Sequence, residues 1–142
     1  MGFSSKTTYG LLALMELADV AGSSERLQVG EIAARQAIPE RYLEQMMTSL
    51  RRGGILRSIR GARGGYQLAK PADQILLSEV ILCLEGEPNA GDPSSGSPEL
   101  QVITALANEL RRQRDARLQT TTLADLQRER DMQLQAQAMY FI

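Results

Sequence analysis

The chain has 142 residues, 43% hydrophobic and 23% charged, with a formal net charge of −1, the composition of one ordinary globular domain or of a domain with a small appendage. A chain this long can bury roughly 70% of its unfolded surface and needs no metal or disulfide to hold a core. One cysteine and no histidine leave no intrachain disulfide, multi-cysteine metal cage, imidazole metal site, Ser-His-Asp triad or Cys-His pair to build. Lys6 and Lys70 are the only lysines and no carboxylate pair stands out, so the convergent groups of an enzyme site are missing and neither cofactor nor metal is expected. The longest early apolar stretch, from Tyr9 to Met15, is about a third of a bilayer span and is followed by Glu16 and Asp19. Lys6 also stands where a myristoylation signal wants serine or threonine. With a lone thiol suited to a reducing compartment, these features predict a cytoplasmic protein with no membrane partner.

Ser4 or Ser5 is placed to cap a first helix, with Leu11, Leu14, Met15 and Ala18 at the spacing of one buried stripe and Gly22-Ser23-Ser24 ending it. A short helix follows from Glu31 to Ala37. Ile38-Pro39 breaks it, because proline disfavours a helical residue before it, and Pro39 suits the first position of the next helix. That third helix sets Leu43, Met46, Met47 and Leu50 on one face and Arg41, Glu44, Gln45, Thr48 and Arg52 on another. Arginine, glutamine, glutamate and threonine are side chains that read base edges, although any amphipathic helix also has a polar side.

Gly53-Gly54 stops the helix, and residues 55–60 read as a strand that Gly61-Ala62-Arg63-Gly64-Gly65 turns back into Tyr66-Gln67-Leu68-Ala69. Glycines and arginines at such a hairpin tip suit close approach to a nucleic-acid minor groove. A nucleotide-binding loop would need Lys-Ser/Thr opening a helix, and here Tyr66 opens a strand. Ser78 is expected to cap a short helix carrying Val80, Ile81, Cys83 and Leu84, with Cys83 as core. Residues 86–97 are rich in glycine, proline and serine and predict a mobile exposed loop. Pro98 then opens a helix with the stripe Leu100, Ile103, Leu106, Ala107 and Leu110, which wants a partner. Thr122-Leu123-Ala124-Asp125 reads as a capping box for a last helix reaching about Gln137, and the apolar end Met139-Tyr140-Phe141-Ile142 reads as a docking segment.

Charge is divided unevenly along this order. Between Arg35 and Lys70 there are eight basic residues and two acidic ones, a net +6, leaving −7 for the remainder. A basic segment in an acidic chain is the footprint of a phosphate-binding surface, or simply a solvated charged face.

Helix, helix-turn-helix and basic hairpin is the order of a winged helix-turn-helix domain. Ser5-Lys6 with Tyr9, Ile32-Ala33, Ile38-Pro39 with Tyr42-Leu43-Glu44-Gln45, and the run from Ser58 to Leu68 resemble the Rrf2 family of bacterial transcription regulators, most strongly from Phe3 to Glu85. The resemblance implies a mainly α fold with a small β-hairpin wing: residues 1–85 as DNA-binding domain, 86–97 as a flexible loop, and 98–142 as a helical dimerisation region. It implies a homodimer on double-stranded DNA, repressing from a pseudo-palindromic operator, with Glu44 and Gln45 at base-reading positions and Arg60 as the wing arginine. Arg41, where some relatives carry serine, Thr48, Arg51, Arg52, Gly61 and Arg63 complete the expected contacts. Cluster-binding members carry three cysteines between Glu85 and Glu99, and this chain has none there. The resemblance is therefore to the branch without an iron-sulfur cluster, whose signal comes from a regulatory protein or a small ligand. The competing reading is a winged-helix protein-interaction module that no longer binds DNA.

Overall fold

The computed structural model describes residues 2–62 and 64–140. Its elements run α1 (Ser5–Asp19), α2 (Val29–Gln36), α3 (Glu40–Arg52), β1 (Leu56–Ile59), β2 (Gly65–Leu68), a 3₁₀ turn (Ala72–Gln74), α4 (Leu77–Glu85), α5 (Pro98–Gln119) and α6 (Leu123–Tyr140). The mainly α fold with one antiparallel hairpin is the expected one. No helix among the described residues is long and apolar enough to cross a membrane.

Helix α1 starts where the Ser4 hydroxyl accepts from the Thr7 backbone N–H at 3.2 Å, the usual satisfaction of a first-turn amide. It buries Leu11, Leu14 and Ala18 as expected, and also Ala13 and Leu17, while Met15 stays half-buried. The helix lies in the middle of the domain, packed by α2, α3, α4 and α6, so its apolar face is wider than a single stripe. Helix α2 begins two residues earlier than the apolar pattern indicates, because the Glu31 carboxylate accepts from the Gln28 backbone N–H at 3.2 Å. It ends at Ala37, whose φ of 54° lies in the left-handed region, a conformation costing a non-glycine residue about 1–2 kcal/mol. Burial of Ile38 at the turn (5% exposed) holds it there. Pro39 caps α3 rather than opening it.

In the hairpin Leu56 pairs with Leu68 and Ile59 with Gly65. A third, single-residue edge joins it: Tyr66 N–H donates to Leu27 O at 2.9 Å and Leu27 N–H to Tyr66 O at 3.5 Å. Gly65 makes this approach possible, since a Cβ there would sit 2.6 Å from the Leu27 carbonyl oxygen. Helix α4 is capped at Leu76, not Ser78. Leu76 is held from outside the helix, bridging Thr122, and its N–H also donates to the Glu79 carboxylate at 3.4 Å.

Residues 86–97 are exposed throughout but fastened to α5. Asn108 Nδ2 donates to Gly91 O at 2.8 Å, Gln101 Nε2 to Gly96 O at 3.0 Å, and Ser94 N–H and Oγ to the Asp92 carboxylate at 2.9 and 2.7 Å. The exposure expected from composition is found, with these bonds made by polar side chains of the loop and of α5. Helix α5 opens at Pro98 with Ser97 as cap, and only Leu118 near its end is buried. Thr122 and Asp125 then form the expected reciprocal cap, Asp125 N–H to Thr122 Oγ1 at 3.1 Å and Thr122 N–H to Asp125 Oδ2 at 2.8 Å. Helix α6 runs to Tyr140 along α1, where Arg130 donates to both oxygens of Asp19 at 2.8 and 2.9 Å. Met139 and Tyr140 are exposed, and Phe141 and Ile142 lie outside the described residues.

Candidate nucleic-acid interface

The outer face of α3 is set by its inner one. Leu43, Met46, Met47 and Leu50 are buried at 0–1% exposure, and at 100° per residue this turns Arg41, Glu44, Gln45, Thr48, Arg51 and Arg52 into one opposite arc of about 120°. Arg41, Glu44, Gln45, Arg51 and Arg52 are exposed on it. Thr48 is only half-exposed, and its hydroxyl donates to Glu44 O at 3.0 Å, which leaves the hydroxyl oxygen free to accept. Tyr42 flanks the arc, edge-on to Tyr9 with ring centroids 5.9 Å apart, so the start of α3 is braced on α1.

Arg60 follows β1 and is exposed at the wing. Gly61 has φ of 121°, open to glycine alone among ordinary residues, and Gly64 N–H closes the turn onto its carbonyl at 2.9 Å. Arg63 lies outside the described residues. Among the described residues Arg41, Arg51, Arg52 and Arg60 have no carboxylate within ion-pair distance, whereas Arg35, Lys70, Arg128 and Arg130 do. The sequence-selected arginines among the described residues are thus among those whose charge is left for an external anion.

Sequence reasoning missed the Leu27–Tyr66 bridge that ties the wing to the entry of α2. A one-residue strand has no period to detect, and the only local hint was the second of two adjacent glycines. Behind the interface, Cys83 of α4 lies against Gly53 at the α3 C-terminus. Burial pushes its thiol pKa up, and Glu79 adds to the shift, the opposite of what a reactive thiolate needs. Glu85 at the end of α4 accepts from the Ser4 hydroxyl and from Thr7 Oγ1 at 2.8 Å. These bonds, Ser4's first and Thr7's second, hold its carboxyl below the usual range.

Comparison with known proteins gives the family and the fold. The Rrf2 family model, described as iron-dependent transcriptional regulator, matches residues 3–129. The transcriptional regulator IscR of Cereibacter sphaeroides is 38% identical over 114 residues, which cover 78% of this chain and 74% of IscR. CymR of Bacillus subtilis is 41% identical over 86 residues, 61% of this chain and 62% of CymR. Among solved structures, T. potens IscR superposes with a TM-score of 0.76 at 32% identity, covering 91% of this chain and 88% of that one. The B. subtilis CymR structure, titled as the global cysteine regulator, gives 0.71 at 32% identity, covering 89% and 95%.

Proposed function

The chain belongs to the Rrf2 family of transcriptional regulators, and from that premise we propose that it binds a pseudo-palindromic operator as a homodimer, acts as a repressor and works without an iron-sulfur cluster. The observation that carries the DNA contact is the pairing of the exposed α3 arc with a slim wing, both bearing arginines without carboxylate partners. In this reading α3 lies in the major groove, with Arg41, Glu44, Gln45 and Thr48 toward base edges and Arg51 and Arg52 toward phosphates. Arg60 and Gly61, with Arg63 beside them, enter the adjacent minor groove. A domain so placed over a promoter excludes polymerase.

Support for a dimer comes from α5, where Val102 (71% exposed), Ile103 (64%) and Leu106 (56%) face away from the side that residues 86–97 cover through Gln101 and Asn108. The family description implies iron. This chain's donors do not fit it. Residues 86–97 contain no cysteine or histidine, Asp92 is engaged by Ser94, and Cys83 is the only thiol in the sequence and packs inward. Among the described residues no three His, Cys, Asp or Glu side chains gather to hold a metal. The signal in this reading is a regulatory protein or a small ligand. A stoichiometric iron-sulfur cluster on the purified protein would overturn it.

The test is selection of genomic fragments by the purified protein across a salt series. An enriched inverted repeat, bound with a steep salt dependence, is the expected result. Arg60→Ala should then cost about 1–3 kcal/mol on the selected site, while Arg51→Ala and Arg52→Ala weaken binding to all sequences and flatten the salt dependence. No retention at low salt would favour the protein-interaction module instead.

A further inference from the structure

On the α2 side of the wing tip lies a groove of about 660 Å³, lined by Glu25, Arg26, Glu31, Arg35, Ala62 and Gly64 among others. Two of its four charged groups are spoken for, Arg35 by Glu16 at 3.3 Å and Glu31 by the Gln28 N–H that it accepts at the start of α2, which leaves Arg26 and the adjacent Glu25. Arg26 is exposed, and no ion pair or hydrogen bond engages its guanidinium among the described residues. It precedes Leu27, whose two backbone bonds to Tyr66 fix it to β2. The base of the Arg26 side chain is therefore mounted rigidly with respect to the wing, while its head is free.

We propose that Arg26 is a DNA-backbone contact flanking the wing, an assignment that rests on the DNA-binding reading above. The B-DNA minor groove is only about 6 Å wide, so a wing tip inside it has a sugar-phosphate strand on each side. One of those strands runs along the groove between the tip and α2. The cation that lines this groove without a protein partner is Arg26. The contact is to phosphate and carries no base preference, but it fixes how deep and at what angle the wing sits. Arg26 lies outside the basic segment of residues 35–70, and Glu25 beside it cancels its charge in any local average, which is why the sequence pattern passes over it.

The experiment is a salt titration of binding to a fluorescein-labelled duplex of mixed sequence, with full-length wild type, Arg26→Ala and Arg26→Lys, each checked for an unchanged melting midpoint. Arg26→Gln replaces the alanine variant if that midpoint falls. The slope of log affinity against log salt should drop by about 0.9 per arginine removed, hence by about 1.8 for a dimer. Arg26→Lys should restore it. An Arg26→Ala slope equal to wild type overturns the Arg26 contact while leaving the regulator reading standing. A wild type that binds the duplex at no salt concentration overturns both.

Discussion

Replacing Gly65 by alanine tests how the wing is held. The added Cβ would sit 2.6 Å from Leu27 O and 2.9 Å from Leu27 C, with Gln28 N at 3.3 Å. All three are backbone atoms, so no side chain can swing aside and the Leu27 edge must separate from β2. Two backbone bonds are lost or stretched, the 2.9 Å Tyr66 N–H to Leu27 O and the 3.5 Å return bond. At about 1 kcal/mol net for a well-formed bond and less for the long one, with local strain added, the cost is about 2–3 kcal/mol. Removing glycine's freedom from the unfolded chain returns about 0.4–1 kcal/mol, leaving a net loss of about 1–2.5 kcal/mol. Urea unfolding monitored by far-UV circular dichroism measures this directly. Hydrogen exchange at the Tyr66 amide reads the local part, which should lose protection more than core amides do. Gly2→Ala, with nothing within 4 Å of its Cβ, is the neutral control. A Gly65→Ala protein with unchanged urea midpoint and unchanged Tyr66 protection would refute the account of the wing as a three-edged unit.

Leu106→Asp places a charge in the middle of the α5 stripe, where Leu106 is 56% exposed in the single chain. Such a change costs the monomer little, and sedimentation should show the dimer dissociation constant raised by at least about 100-fold, the equivalent of roughly 3 kcal/mol for an unpaired charge at a dimer interface. An unaltered dimer would show that another face associates. Glu85 gives a pH prediction. Its pKa is lowered in the folded chain, so its contribution is present above the unfolded value near 4.3 and is lost as pH falls through the folded value. Glu85→Gln should therefore flatten the acid limb of the stability curve as pH falls below the unfolded value relative to wild type. The effect will be small because the carboxylate is exposed to solvent screening. An identical acid limb would show that the Ser4 and Thr7 bonds do not hold in solution.

Features that depend on a few neighbouring residues were legible from the sequence. The Ser4 cap, the Pro98 start, the Thr122–Asp125 box and the two faces of α3 all follow from local hydrogen-bonding and a 3.6-residue period, and each is found. The start of α2 shifted through a local contact, Glu31 with Gln28, and that of α4 where a distant segment intervened. Leu76 caps α4 in place of Ser78 because Thr122, 46 positions later in the sequence, bridges to it. Leu17 escaped the α1 stripe because that helix is packed on several sides at once. The candidate interface divides the same way. Its arginines and its glycine-rich tip are visible as residue types, but which arginines remain unpaired is decided by carboxylates far away in sequence, as when Glu16 engages Arg35.

The same logic assigns α4 a role larger than its nine residues. It packs on α1, α3 and α5: Cys83 lies against the end of α3, Glu85 grips the start of α1, and Ile81 and Leu82 share a cavity wall with Arg111 and Leu118 of α5. A dimer joined through α5 meets a palindromic site only if its two α3 helices lie about 34–36 Å apart, one turn of DNA. Helix α5, of 22 residues, lies against this domain through its C-terminal end and carries its apolar stripe at the other. In such a dimer the orientation of α3 relative to the two-fold axis would pass through the α4 contacts. A ligand or protein that shifts α5 against α4 by a fraction of a helical turn changes half-site spacing without touching a DNA-binding residue. In a dimer of that kind the effect would follow because α3 and α5 both pack on one short helix.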